Sequence, residues 1–152
     1  MSVTGIILAA GRGSRMGTPK QLLPLGGRPL LQHVVDAAAE ALDDVILVLG
    51  HEAEAIVAAL DLPPGVRVVV NPDHPEGLST SLRAGLDHVP EAALAVAVIL
   101  GDQPEIRPDA IRAVVAAQAT SGAPILRASH RGRASHPVVL ARAVWPLSLI
   151  HI

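Results

Sequence analysis

Three features of the sequence predict an α/β fold, a mostly parallel sheet with helices on both faces. Short β-branched apolar runs alternate with segments of helical period. Strand and helix then recur in strict order, which calls for parallel strands joined by helical crossovers. Half of the 152 residues are apolar, yet Phe and Tyr are absent and Trp145 is the single aromatic. The core therefore has to be assembled from Val, Leu, Ile and Ala, as in a parallel sheet buried under Ala-rich helices.

The elements follow in order. Residues 3–10, 45–49, 66–70 and 94–100 read as buried strands, rich in β-branched residues and bounded by turn formers. Residues 29–42 carry Leu30, Leu31, Val34, Val35, Ala38 and Leu42 at helical spacing. Residues 52–60, 78–89 and 108–118 read as further helices, the last with Pro108 in its first turn. Residues 124–128 and 136–141 look like two more strands, joined by a basic, glycine-containing loop at 129–135. The expected result is a Rossmann-like sheet, in which ligands bind beyond the carboxyl ends of the strands. Residues 1–145 fit one domain. Residues 146–152, Pro-Leu-Ser-Leu-Ile-His-Ile, have neither helical polarity nor a closing element. They resemble translated adapter or vector sequence, so a longer natural chain is expected.

Composition removes several classes of function. A formal charge of −2 and the lack of aromatic platforms argue against a nucleic-acid partner. Without cysteine there is no disulfide or thiolate chemistry. The longest apolar run, residues 92–100, falls far short of the ~20 residues a spanning helix needs. The N-terminus lacks a basic n-region, so no membrane and no secretion signal are expected, and the cytoplasm is the default location.

The chemistry is expected at strand ends. The first strand runs into Gly11-Arg12-Gly13-Ser14-Arg15-Met16-Gly17, where backbone N–H groups can approach an anion unhindered by Cβ atoms. Arg15 and Lys20 add full charges, and Lys20 is the only lysine in a chain that otherwise uses Arg. Two opposite unit charges 4 Å apart attract by about 4 kcal/mol at an effective dielectric near 20, enough to organise a triphosphate. The spacing matches neither G-x-x-x-x-G-K-[ST] nor G-x-G-x-x-G, and no acidic residue ends the second strand where a dinucleotide ribose would need one. After the 94–100 strand, Gly101-Asp102-Gln103-Pro104 places a carboxylate where phosphate-bound Mg2+ could use it as an oxygen ligand. Capping of the next helix is the alternative for Asp102. The segment Asn71-Pro72-Asp73-His74-Pro75-Glu76-Gly77-Leu78-Ser79-Thr80-Ser81-Leu82-Arg83-Ala84-Gly85-Leu86 leaves a strand and enters a helix whose N–H groups could face an anion. Ser79 or Thr80 could equally cap that helix.

These strings carry a family resemblance. Leu8-Ala9-Ala10-Gly11-x-Gly13-x-Arg15-Met16-Gly17-x-x-Lys20-x-Leu22-Leu23-Pro24-Leu25 resembles the signature of nucleotidyltransferases with a glycosyltransferase-A-like fold. Gly101-Asp102-Gln103-Pro104 and the Asn71 segment resemble the molybdenum cofactor cytidylyltransferase-like (MobA-like NTP transferase) group, and the Asp-Ala-Ala-Arg pattern of the methylerythritol phosphate enzyme is absent. The resemblance spans roughly residues 3 to 145. It implies transfer of CMP from CTP to the phosphate of molybdopterin, with release of pyrophosphate.

It further implies that Leu8, Ala9, Ala10, Gly11 and Gly13 hold the nucleotide, that Arg15 and Lys20 hold the β- and γ-phosphates, and that Asp102 carries catalytic Mg2+. Asn71, Gly77 and Ser81 would help hold nucleotide and acceptor, and His136 would line the pterin site. The Ala9-Ala10 pair goes with cytidine in that group, where Gly residues go with guanosine. Ser135 stands where the group usually has Gly before His136-Pro137. A molybdoenzyme or its chaperone is the implied downstream partner. Relatives commonly continue for several tens of residues, often with another acidic metal ligand. The alternatives are another nucleotide or acceptor (GTP with molybdopterin, or a phosphorylated small metabolite) and a truncated, non-catalytic nucleotide-binding module. His33 is expected at the surface or core boundary, and His51, His74, His88 and His130 show no metal-ligand spacing. The Arg127–Arg133 cluster is either a contact for a phosphorylated acceptor or a solvated loop.

Overall fold

The first strand, β1 (Val3–Leu8), sits inside a six-stranded sheet because every residue after Val3 is buried on one face or the other. A computed structural model describes residues 2–11, 14–15, 17–72 and 78–146. Two short hairpins follow, β2 (Ser14–Arg15) with β3 (Thr18–Pro19), and β4 (Pro24–Leu25) with β5 (Arg28–Pro29). A 3-10 turn at Lys20–Leu22 lies between them. The second hairpin closes on Gly26 and Gly27, with φ of 62° and 82°, the two left-handed residues a tight turn matching strand twist requires.

The remaining elements alternate as the apolar pattern predicts. They are α1 (Leu30–Ala41), β6 (Asp44–Leu49), α2 (Ala53–Ala59), β7 (Val66–Val70), α3 (Leu78–Leu86), β8 (Ala95–Leu100), α4 (Pro108–Ser121), β9 (Ile125–His130) and β10 (Arg133–Ala141). The strand order is β7-β6-β1-β8-β10-β9. The first four strands run parallel, and β10 reverses against both β8 and β9.

Alternation along the strands divides the core in two. Ile7, Leu47, Leu49, Ala97 and Ile99 meet Leu31, Val34, Val35, Ile56 and Ile111 from α1, α2 and α4. Ile6, Leu8, Ile46, Val48, Val96 and Val98 point the other way, to Leu82 of α3 and to Trp145. Ile6 and Ile7 have no exposed surface, and burial of each such side chain contributes about 1.5–3 kcal/mol. Trp145 follows a 3-10 turn at Arg142–Val144 and donates its indole N–H to the Leu140 carbonyl at 3.0 Å. The Arg142 guanidinium lies 4.2 Å from its ring centroid and donates to the Ala93 carbonyl.

One expectation about the chain's last third needs correction. The broad loop expected at 129–135 is a hairpin whose strands run to His130 and from Arg133. Arg131 and Gly132, with φ of 52° and 78°, form its two-residue turn. Two consecutive left-handed residues close a hairpin without extra length, so the strands reach further than composition indicated. In the tail, residues 147–152 lie outside the described residues.

Candidate functional site

The β1 chain continues toward β6 on one side, while β8 pairs with β1 on the other, so a crevice opens beyond their carboxyl ends. A cavity of about 400 Å³ occupies it. One wall is the end of β1 and its loop: Leu8, Ala9, Ala10 and Gly11. The opposite wall is Leu100, Gly101 and Asp102, with Leu78 and Ser81 of α3, Leu30, Lys20 and Gln21 completing the lining. The two strand ends stay zipped because the Gly101 N–H donates to the Leu8 carbonyl at 2.9 Å. The approach is so close that a Cβ on Gly101 would stand 2.7 Å from the Ala9 Cβ, so this position needs glycine.

Lys20 opens the 3-10 turn, and its Nζ lies 3.9 Å from Asp102 Oδ2 across the cavity mouth. Both side chains are more than half exposed, 56% and 58%, so the pair adds little to stability and can be parted by a ligand. Behind Lys20 the Gln21 side chain is buried. Its Nε2 donates to the carbonyls of Ala9 at 2.8 Å and Gly11 at 3.1 Å, which ties the turn to the glycine-rich loop.

On the α3 side, Asn71 directly follows β7 and is buried. Its backbone N–H donates to the Leu49 carbonyl at 2.7 Å, and its Nδ2 donates to Ser81 Oγ at 3.0 Å and to Thr80 Oγ1 at 3.1 Å. Asn71 thus reaches the cavity through Ser81, which lines it, and does not itself line it.

His136 lies on β10, two residues before the Val138↔Val98 pair, and its bond to Pro137 is cis. It does not line the cavity but lies within electrostatic reach of Asp102 and Arg127. Burial, then the Arg127 guanidinium, hold its imidazole below the ordinary 6.5, while the Asp102 carboxylate pulls the other way. The folded protein therefore binds fewer protons than the unfolded chain below pH 6.5. His136 costs no stability above that pH, and stability falls as pH drops from 6.5 toward the depressed folded value. Urea midpoints between pH 7.5 and 5 should decline in the wild type and decline less in His136→Gln.

The structure thus gathers Leu8, Ala9, Ala10, Gly11, Lys20, Ser81 and Asp102 around one cavity, with Asn71 and His136 behind or beside it. Gly13 and Gly77 fall outside the described residues, as does the side chain of Arg15, whose backbone forms β2. His33 is half-buried, with Nε2 2.6 Å from the Leu25 carbonyl oxygen, and the Nδ1 of His88 lies 2.9 Å from that of Ala84. Among the described residues no three His, Cys, Asp or Glu side chains cluster as a metal cage, which leaves Asp102 as a single carboxylate. That donor set fits Mg2+, which is commonly held by one or two carboxylates together with substrate phosphates. Asp102 does not cap α4, whose N-cap is Arg107 with no side-chain cap bond.

Gln21 and the close approach at Gly101 were not singled out by sequence reasoning. No apolar run encloses Gln21, which stands between Lys20 and Leu22, so its burial left no signal in the sequence.

Comparison with known proteins sharpens this geometry. The chain is 37% identical over 115 residues to the bifunctional protein GlmU of Sorangium cellulosum, covering 70% of this chain and 24% of that protein. It is 43% identical over 107 residues to nicotine blue oxidoreductase of Paenarthrobacter nicotinovorans, covering 67% of this chain and 50% of that one. The chain thus spans about a quarter to a half of the length of these curated relatives. The crystal structure of Rv0371c from Mycobacterium tuberculosis H37Rv superimposes with a TM-score of 0.85 at 37% identity, covering 97% of this chain and 75% of that one. Its complex with manganese gives the same TM-score at 34% identity, covering 100% of this chain and 77% of that one. No described helix is long and apolar enough to cross a membrane. Residues 5–149 match the model of the MobA-like NTP transferase domain, and the chain belongs to that family.

Proposed function

We propose that the protein transfers CMP from CTP to the terminal phosphate of molybdopterin and releases pyrophosphate. The observation that carries nucleotidyl transfer is the facing of Lys20 and Asp102, a separable cation and anion, across a cavity built on a glycine-rich strand end. The attacking phosphate oxygen is already an anion, so no strong base is required. Its new bond to the α-phosphorus forms as the bond to the β-phosphate oxygen breaks, and pyrophosphate departs with the electron pair. The residues have only to position and neutralise charge. Arg15 and Lys20 hold the β- and γ-phosphates and meet the charge that develops on the leaving group. Asp102 is the carboxylate that would hold a divalent cation with the phosphates, where such a cation supplies charge neutralisation and in-line orientation. The base rests among Leu8, Ala9, Ala10 and Leu78, and Ser81, fixed by Asn71, faces it. His136, within electrostatic reach of Asp102, serves the acceptor side. Cytidine as the base, and molybdopterin as acceptor with a molybdoenzyme or its chaperone downstream, rest on the Ala9-Ala10 and Gly101-Asp102-Gln103-Pro104 strings.

Pyrophosphate release measured with CTP, GTP, ATP and UTP, each with Mg2+ and molybdopterin, tests the reading. CTP is expected to give acceptor-dependent release at least about tenfold faster than the others. Equal rates with all four would overturn the nucleotide assignment, and release that ignores molybdopterin would overturn the acceptor. The likeness to nicotine blue oxidoreductase supports a second reading, redox work on a heterocycle. Oxidation of a reduced nicotinamide by this protein with a heterocyclic dye, without any pyrophosphate release, would select it.

A further inference from the structure

The Gln21 side chain carries a buried polar atom that packing leaves unexplained. It is only 8% exposed, and both hydrogens of its Nε2 are spent on the carbonyls of Ala9 and Gly11. Those two acceptors fix the amide's orientation, because the flipped form would set Oε1 against two carbonyl oxygens. Oε1 is then left buried with no hydrogen-bond partner among the described residues. Buried acceptors left unmatched are few in native proteins, and this one points to a demand on the amide beyond stability.

The direction of the neighbouring groups shows what the amide accomplishes. The Ala9 N–H donates to the Val48 carbonyl, so this residue's polar groups face β6. The turn holding Gln21 packs against α2, the helix that follows β6, and Gln21 takes over the Ala9 carbonyl where β6 ends. In a trans peptide the next N–H points opposite to the carbonyl. The Ala10 N–H is therefore turned toward β8, past the bond from the Gly101 N–H to the Leu8 carbonyl. It has no partner among the described residues, and Ala10 lines the cavity together with Gly101 and Asp102.

We propose that Gln21 is the positioning residue of this site, holding the Ala9 and Gly11 carbonyls back so that the Ala10 N–H is presented to an acceptor oxygen or nitrogen of the bound nucleotide. The same anchor fixes the turn from which Lys20 reaches the cavity mouth, so one buried amide sets both a backbone donor and the site's cation. The assignment rests on the nucleotidyl-transfer reading.

Gln21→Met keeps the volume and removes both donors, and Gln21→Glu keeps the shape and an acceptor while its carboxylate cannot donate. Calorimetric titration with CTP and Mg2+ is expected to show binding weakened about tenfold in both variants. The KM for CTP should rise more than kcat falls. Gln21→Met removes the orphaned acceptor but leaves the buried Ala9 carbonyl without its donor, so its unfolding midpoint should fall, and the titrations are made well below that midpoint, where the variant is folded. Titration with CMP and with tripolyphosphate then tells whether the Ala10 N–H serves the base or the phosphates: the probe that loses affinity contains its acceptor. Unchanged affinity for both probes in Gln21→Met would overturn the proposal, as would a loss that merely tracks unfolding. Wild-type protein that binds none of the four nucleoside triphosphates would overturn the nucleotidyl-transfer reading and this assignment together.

Discussion

Asp102→Asn is expected to lower kcat for nucleotidyl transfer about 10²–10³-fold while leaving the unfolding midpoint where it is. Lys20→Ala should behave alike, with a larger share of its loss in KM, because a bound triphosphate is one of its partners before the reaction as well as during it. The combination of large kinetic and small structural effects follows from the geometry. The two charges are 3.9 Å apart, more than half exposed, and carry no other side-chain hydrogen bond among the described residues. An exposed pair of this kind contributes little to folding. In the proposed reaction its value would lie in being separable: phosphate would replace Asp102 beside Lys20, and a cation would replace Lys20 beside Asp102. Steady-state pyrophosphate release and a denaturant melt on the same samples decide the matter. A variant that keeps most of its kcat/KM would remove these two residues from the reaction.

The difference between what was and was not legible in the sequence follows from range. The strands could be read because burial on both faces leaves an unbroken apolar run rich in β-branched residues, as in residues 95–100, and helix α1 because its apolar stripe has helical period. The strand ends followed from glycines and Asp102 placed directly after such runs. Two features depended instead on pairings between distant residues, and a third on an unusual turn residue. Gln21 bonds back over 10 and 12 residues to carbonyls, and carbonyls carry no sequence signal. Asn71 reads as a loop ligand until its amide is seen donating to Ser81 ten residues on. The β9–β10 hairpin hid because Arg131 occupies a left-handed position usually advertised by Asn, Asp or Gly.

Gly101→Ala is expected to damage both stability and turnover, and a second substitution should return part of each. The new Cβ would stand 2.7 Å from the Ala9 Cβ, 3.1 Å from the Leu8 carbonyl oxygen and 3.2 Å from Leu31 Cδ1. Carbon atoms pack at about 3.5–4.0 Å, so β8 must move away from β1 by roughly 1 Å at the point where the Gly101 N–H now meets Leu8. Overpacking of this kind costs about 1–3 kcal/mol, which a urea titration resolves as a lower midpoint. The displaced residue is the neighbour of Asp102, and a displacement near 1 Å at a site that works by positioning costs about 10²-fold in rate. Ala9→Gly in the same chain removes the nearest clashing atom, so the double variant should melt higher and turn over faster than Gly101→Ala alone. Recovery should be partial, because the Leu8 carbonyl is backbone and cannot yield, and because Ala9 gives up a buried methyl group. Strictly additive effects of the two substitutions would show that the strand ends do not touch as described, since residues in contact couple. A double variant that recovers stability without recovering turnover would instead place the requirement at Ala9 itself, whose carbonyl Gln21 holds.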